Sequence, residues 1–100
     1  MKMERIDDTH VCICPQERID ITNSNALKEE FIRLYDEGLT HLTVDFTHID
    51  GIDSSGLGKL LLFQKRLKER NGSLRITNIT SDYVKKMFTM IHLNRVIDID

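Results

Sequence analysis

An excess of charge of one sign is missing from this chain. Its 14 Lys and Arg stand against 16 Asp and Glu, a formal net charge of -2 with a pI near 6.1. That balance supplies no electrostatic footprint for nucleic acid and no basic run for an anionic membrane surface. Long apolar runs are missing too. None exceeds Leu60–Phe63, far short of the roughly 20 residues of a membrane-spanning helix. Met1-Lys2-Met3-Glu4 leads into no apolar signal-peptide core. These absences point to a cytoplasmic protein with no membrane insertion and no direct contact with nucleic acid. Cysteine is scarce, with Cys12 and Cys14 the only two. In an extended strand they share a face, a spacing that suits two buried, packed thiols better than a disulfide. His10, His41, His48 and His92 show no ligand-like spacing with them, so neither a metal nor a cofactor is expected. The sole proline, Pro15, argues against a central strand running unbroken past Cys14.

What remains is enough for one globular domain: 100 residues, 40% of them hydrophobic, with no room for a second core. Met3–Asp7 and Val11–Cys14 read as two short strands around the polar turn Asp7-Asp8-Thr9-His10, and Arg18-Ile19 as an extended piece leading to Asp20. Thr22-Asn23-Ser24-Asn25 offers helix caps. Ala26, Leu27, Phe31, Leu34 and Tyr35 then follow at helical spacing until Gly38. His41–Phe46 alternates with period two, and Thr47–Ile52 reads as a polar connection. A second helix is predicted from about Ser54 to Arg70, with Leu57, Leu60, Leu61, Gln64 and Leu67 as its apolar stripe, widened by Leu62 and Phe63. Ser73–Thr77 is a strand, and Thr80 or Ser81 caps a third helix carrying Val84, Met87, Phe88 and Ile91 on one side. Arg95–Ile99 is a last strand. This alternation predicts an α/β domain with a mixed, mostly parallel sheet of four to five strands and helices packed on it. Loops at the carboxyl ends of such strands collect function, and the Phe46–Ser54 loop is one of them.

That loop ends in Asp53-Ser54-Ser55-Gly56-Leu57-Gly58, which places two hydroxyls at a helix opening. A helix N-terminus presents free N–H groups and a partial positive charge, so it tolerates an added phosphate. Three other readings compete. A nucleophile elbow needs glycine two residues before and after its serine, and neither Ser54 nor Ser55 has both. A P-loop fails in both registers: Gly51 and Gly56 are followed by Leu57 where lysine is required, and Gly58-Lys59 lacks its first glycine and its Ser/Thr. No catalytic residue is therefore assigned. Simple capping by Asp53 and Ser54 accounts for part of the segment, but not for Gly56 and Gly58. Each costs a helix up to about 1 kcal/mol relative to alanine, which suggests that something approaches the backbone closely.

Val44-Asp45-Phe46, a spacer, and Ile52-Asp53-Ser54-Ser55-Gly56-Leu57-Gly58 resemble the signature of STAS domains (sulfate transporter and anti-sigma factor antagonist), and most closely the free-standing anti-sigma factor antagonists. The resemblance extends back to Arg18-Ile19-Asp20 and forward through Asn71-Gly72 to Val84–Phe88, nearly the whole chain. It implies a non-enzymatic partner switch. Ser54, directly after the motif aspartate, would be phosphorylated by an anti-sigma factor that is itself a serine kinase, with Ser55 as the alternative acceptor. The unphosphorylated form would hold the kinase and free a sigma factor, and a serine phosphatase would reset Ser54. Asp20, Asp53, Ser54, Ser55, Gly56, Leu57 and Gly58 would form the partner-binding surface. The other client types of such modules are a stressosome-like complex, a signalling enzyme and a lipid-transport ATPase. Two departures stand out. The chain ends at Asp100 without the family's usual fourth helix, which would leave sheet or third helix open to a partner or to a second copy in a homodimer. The Cys14–Glu17 stretch also lacks a glycine common in the family.

Overall fold

A single aspartate organises the first turn. Asp7 Oδ1 accepts from the backbone N–H of Thr9 and of His10, each at 2.9 Å, the local pattern by which Asp favours turns. It joins β1 (Lys2–Arg5) antiparallel to β2 (His10–Cys14). The computed structural model describes residues 2–100. After Pro15 come β3 (Glu17–Ile19), α1 (Ser24–Asp36), β4 (His41–Asp45), β5 (Ile49–Ile52) and α2 (Ser54–Lys68). β6 (Ser73–Thr77), α3 (Asp82–Met90), a 3-10 turn at Leu93–Arg95 and β7 (Asp98–Ile99) complete the order. The main sheet runs β1-β2-β4-β6-β7 and is parallel except for β1 at its edge. It is the mixed, mostly parallel sheet that the alternation predicts.

One face of that sheet is apolar because Val11 and Ile13, Leu42 and Val44, and Leu74 and Ile76 alternate onto it. Leu27, Phe31 and Leu34 of α1, Leu60, Phe63 and Leu67 of α2, and Val84 and Phe88 of α3 close over it as one core. Phe31 stacks on Phe63 with ring centroids 4.2 Å apart. Gln64 is the one polar side chain carried deep into α2's packed face, and both its ends are satisfied. Nε2 donates to the Val96 carbonyl at 2.9 Å, and Oε1 accepts from the Leu74 N–H at 2.8 Å.

Five sequence expectations need correction. Thr47–Ile52 is not merely a connection, because Ile49–Ile52 is β5, paired parallel with β3 as a separate two-stranded sheet. Its buried residues, Ile49 and Ile52, are three apart, and the register shifts between Glu17 and Arg18, so no alternation announces it. The last strand shrinks to Asp98-Ile99. Leu93 and Ile97, both buried, are spaced for a turn, which the chain enters through left-handed His92 (φ 55°). On α2 the buried stripe is Gly56, Leu60, Phe63, Gln64 and Leu67, while Leu61 is exposed. Ile91, expected on the packed side of the third helix, lies just past the end of α3 and is likewise exposed. Finally, Cys12 and Cys14 do share a face, but it is the one opposite the core, where both thiols are free and half-buried. Burial, then the carboxylates of Asp45 and Glu4, push the Cys12 thiol pKa up, which keeps it protonated and unreactive.

Candidate functional site

The serine loop is held from both sides by Asp53. Its backbone is extended (φ -105°, ψ -176°), and its Oδ1 accepts from the Gly56 N–H at 2.9 Å, capping α2. Oδ2 accepts from the Ile21 N–H at 3.1 Å, and the Asp53 N–H donates to the Ile19 carbonyl at 3.1 Å. One carboxylate thus ties the start of α2 to the segment that precedes α1. Ser54, the first residue of α2, is exposed, and Ser55 is half-buried. Leu57 packs against the core with part of its surface free.

Gly56 and Gly58 separate cleanly. A Cβ on Gly56 would lie 2.4 Å from the Ile19 carbonyl oxygen and 2.7 Å from Ile19 Cγ2. The close approach at this glycine is therefore made by the chain's own β3. A Cβ on Gly58 would meet nothing within 4 Å, and the residue is exposed.

Asp20 follows β3 directly. Its carboxylate accepts from the hydroxyl of Thr22 and, at 2.9 Å, from the Thr22 N–H. These bonds, the hydroxyl's first, hold its pKa below the usual carboxylate value. Its contact with Arg18 is long, with Nε 3.9 Å from Oδ2. Asn23, expected as a helix cap, turns back instead: its side chain donates to the Arg18 carbonyl at 2.7 Å and accepts from the Asp20 N–H at 2.9 Å. The β3–β5 pair thereby brings Asp20 and Asp53 to one open depression of about 340 Å³, shared with Arg18, Asp50, Gly51 and Tyr83. The larger depression, about 520 Å³ between α3 and β7, contains none of these residues.

Sequence reasoning passed over Ile21 and Tyr83, exposed by 73% and 65% beside Asp53. The available signals were an apolar residue stranded in a polar cap cluster and an aromatic on the polar side of α3. Asp45, at the end of β4, shapes the neighbouring loop. Partial burial raises its pKa, but hydrogen bonds from the Thr47 hydroxyl and N–H, with Asn78, outweigh that and leave it lowered. Among the described residues no group of three or more His, Cys, Asp or Glu is arranged to hold a metal ion, and no helix is long and apolar enough to cross a membrane. The site offers an exposed hydroxyl on a helix N-terminus, next to an Asp53 carboxylate whose two oxygens are already committed to the Gly56 and Ile21 N–H groups.

Comparison with known proteins bears on the family and the fold. The STAS domain family model matches residues 1–100. The chain is similar to the anti-sigma-B factor antagonist of Bacillus subtilis strain 168, with 30% identity over 81 residues, 81% of this chain and 72% of the relative. Its fold is similar to that of the unphosphorylated anti-sigma factor antagonist SpoIIAA, with a TM-score of 0.85 and 21% identity over 99% of this chain and 86% of that one. The Bacillus cell fate determinant SpoIIAA in its phosphorylated form gives a TM-score of 0.77 and 19% identity over 99% and 89% of the two chains.

Proposed function

This chain belongs to the STAS domain family, and from that membership we propose that it is an anti-sigma factor antagonist switched by phosphorylation of Ser54. Unphosphorylated, it binds an anti-sigma factor that is also a serine kinase and so frees a sigma factor. Phosphorylated, it lets go, and a serine phosphatase restores it. The observation that carries this reading is the exposed Ser54 at the first position of α2, next to an Asp53 whose two oxygens are held by the Gly56 and Ile21 N–H groups.

The chain contributes the acceptor and its placement. The γ-phosphoryl of ATP passes to Ser54 Oγ, the hydroxyl proton leaves to a base of the kinase, and ADP departs. Asp53 is a positioning residue: committed to two N–H groups, it fixes the loop. The phosphate adds about -1.5 to -2 charges at neutral pH. The α2 N-terminus offsets part of that charge within the free protein, and Asp53 opposes it. A bound partner must strip the phosphate of water next to Asp53, whose depression also holds Asp20 and Asp50. Without a matching cation, that loss reaches several kcal/mol, each roughly 1.4 kcal/mol being tenfold in affinity.

Intact mass and phosphosite mapping after incubation with the purified anti-sigma kinase of the source organism and ATP test the reading. One phosphate on Ser54 is expected, with Ser54→Ala retaining kinase binding and Ser54→Asp losing it. No modification of Ser54 or Ser55 by an active kinase, or equal binding by both variants, overturns it in favour of a STAS scaffold with another client.

A further inference from the structure

Residues that alternate away from the core form the second face of the main sheet. Val11 and Ile13 of β2 and Leu42 and Val44 of β4 point into the core. His10, Cys12 and Cys14, and His41, Thr43 and Asp45, therefore point the other way. The two strands pair in parallel with His10 opposite His41. Both histidines thus open their strands on one face, 31 residues apart in the chain but with ring centroids 6.2 Å apart. The serine loop lies at the other end of the sheet, beyond the carboxyl end of β4.

Each ring is oriented by a threonine. His41 Nδ1 lies 2.9 Å from Thr40 Oγ1, whose own proton is directed to the Thr9 carbonyl at 3.4 Å. The hydroxyl oxygen therefore accepts, Nδ1 carries the proton, and the lone pair of His41 sits on Nε2. His10 Nε2 lies 2.9 Å from Thr43 Oγ1, and with that nitrogen as donor the lone pair is on Nδ1. An outer hydrogen bond of this kind is what fixes tautomer and ring orientation in a metal-binding histidine. The surroundings do not repel a cation. Ser73, Arg75 and Asp98 share with the two histidines and Thr43 an open depression of about 270 Å³. Arg75 is engaged by Asp98, Nε to Oδ2 at 3.4 Å, and by Asp100, Nη2 to Oδ1 at 3.1 Å, so its charge is already matched. Asp7, which accepts from the His10 N–H, adds a further carboxylate.

We propose that His10 and His41 form a two-histidine site, on the sheet face opposite the core, for a divalent transition-metal ion of the zinc, nickel and copper class that imidazole suits. An ion about 2.0–2.1 Å from one nitrogen of each ring holds the ring centres roughly 5–6 Å apart. A small rotation of the exposed His41 ring brings the observed 6.2 Å to that span. No third His, Cys, Asp or Glu joins the pair among the described residues, so water fills the remaining positions. The site stands apart from the reading of Ser54, since its depression contains no residue of the serine loop.

Isothermal titration of the full chain with zinc chloride in a non-coordinating buffer tests the site. One ion per chain is expected. His10→Ala and His41→Ala should each weaken the Kd about tenfold or more, with Cys12→Ser and His92→Ala leaving it unchanged. Because the ion binds the folded chain, it should raise the Tm of wild type and not that of either His10→Ala or His41→Ala. Tm without metal shows that each variant is folded. Should one fail to fold, the imidazole nitrogen signals of the wild-type chain decide: zinc is expected to move those of His10 and His41 together and to leave those of His48 and His92 in place. No saturable binding, wild-type affinity in either His10→Ala or His41→Ala, loss of binding in Cys12→Ser, or shifts at His48 or His92 instead overturns the proposal.

Discussion

Gly56→Ala tests the contact on which the site is built. The added methyl would sit 2.4 Å from the Ile19 carbonyl oxygen, 2.7 Å from Ile19 Cγ2 and 2.9 Å from the Ile19 carbonyl carbon. Two of these atoms are backbone in β3, which is paired to β5 and cannot swing aside as a side-chain tip can. Overpacking of this kind costs about 1–3 kcal/mol. The same carbonyl accepts the Asp53 N–H, and weakening that bond adds about 0.5–1.5 kcal/mol. Better helix propensity returns up to about 1 kcal/mol. The net expectation is a loss of roughly 1–3 kcal/mol, which for a domain of this size lowers Tm by about 5–20 °C. Urea unfolding with an unchanged m-value provides the matching readout. A Gly56→Ala protein as stable as wild type, or more so, refutes the close packing of β3 on α2.

Asp53→Ala removes the acceptors of the Gly56 and Ile21 N–H groups and is expected to cost about 1–2 kcal/mol in urea unfolding, with Asp53→Asn retaining most of the cap; equal losses for the two variants would show that charge, not capping, matters. The pH dependence has a definite sign. Asp45 has a folded pKa below its unfolded value, since the Thr47 and Asn78 bonds outweigh its burial. Its contribution is therefore present above about pH 4 and lost as pH falls through the folded value. Tm measured across that acid range should fall less steeply for Asp45→Asn than for wild type, and superimposable slopes would contradict the role of those bonds.

Most of the fold is legible from local pattern. α1, β4 and β6 rest on spacing within a few residues and the start of α3 on its cap, with Ser81 accepting from the Val84 N–H as its side chain suggests. β5 escapes because Ile49 and Ile52 break alternation and its partner, β3, lies some thirty residues earlier. The stripe on α2 is misjudged at Leu61 because a helix with leucine at five positions offers more apolar surface than one packed face can take. Asp20 and Asp53 can each be named from sequence, but not their shared depression, nor the company of Tyr83 and Ile21.

By itself the sequence determined the order of helices and strands apart from β5, the capped opening of α2 and the exposed hydroxyl of Ser54, because these depend on interactions within one or two helical turns. Only the tertiary structure decided which face of α2 is buried, which side of the sheet Cys12 and Cys14 occupy, and which glycine serves the fold. Those outcomes depend on the register between segments far apart in the chain. Ile19 reaching Gly56 is the case that matters most here: a contact 37 residues apart separates a glycine the fold needs from Gly58, where a Cβ would meet nothing within 4 Å.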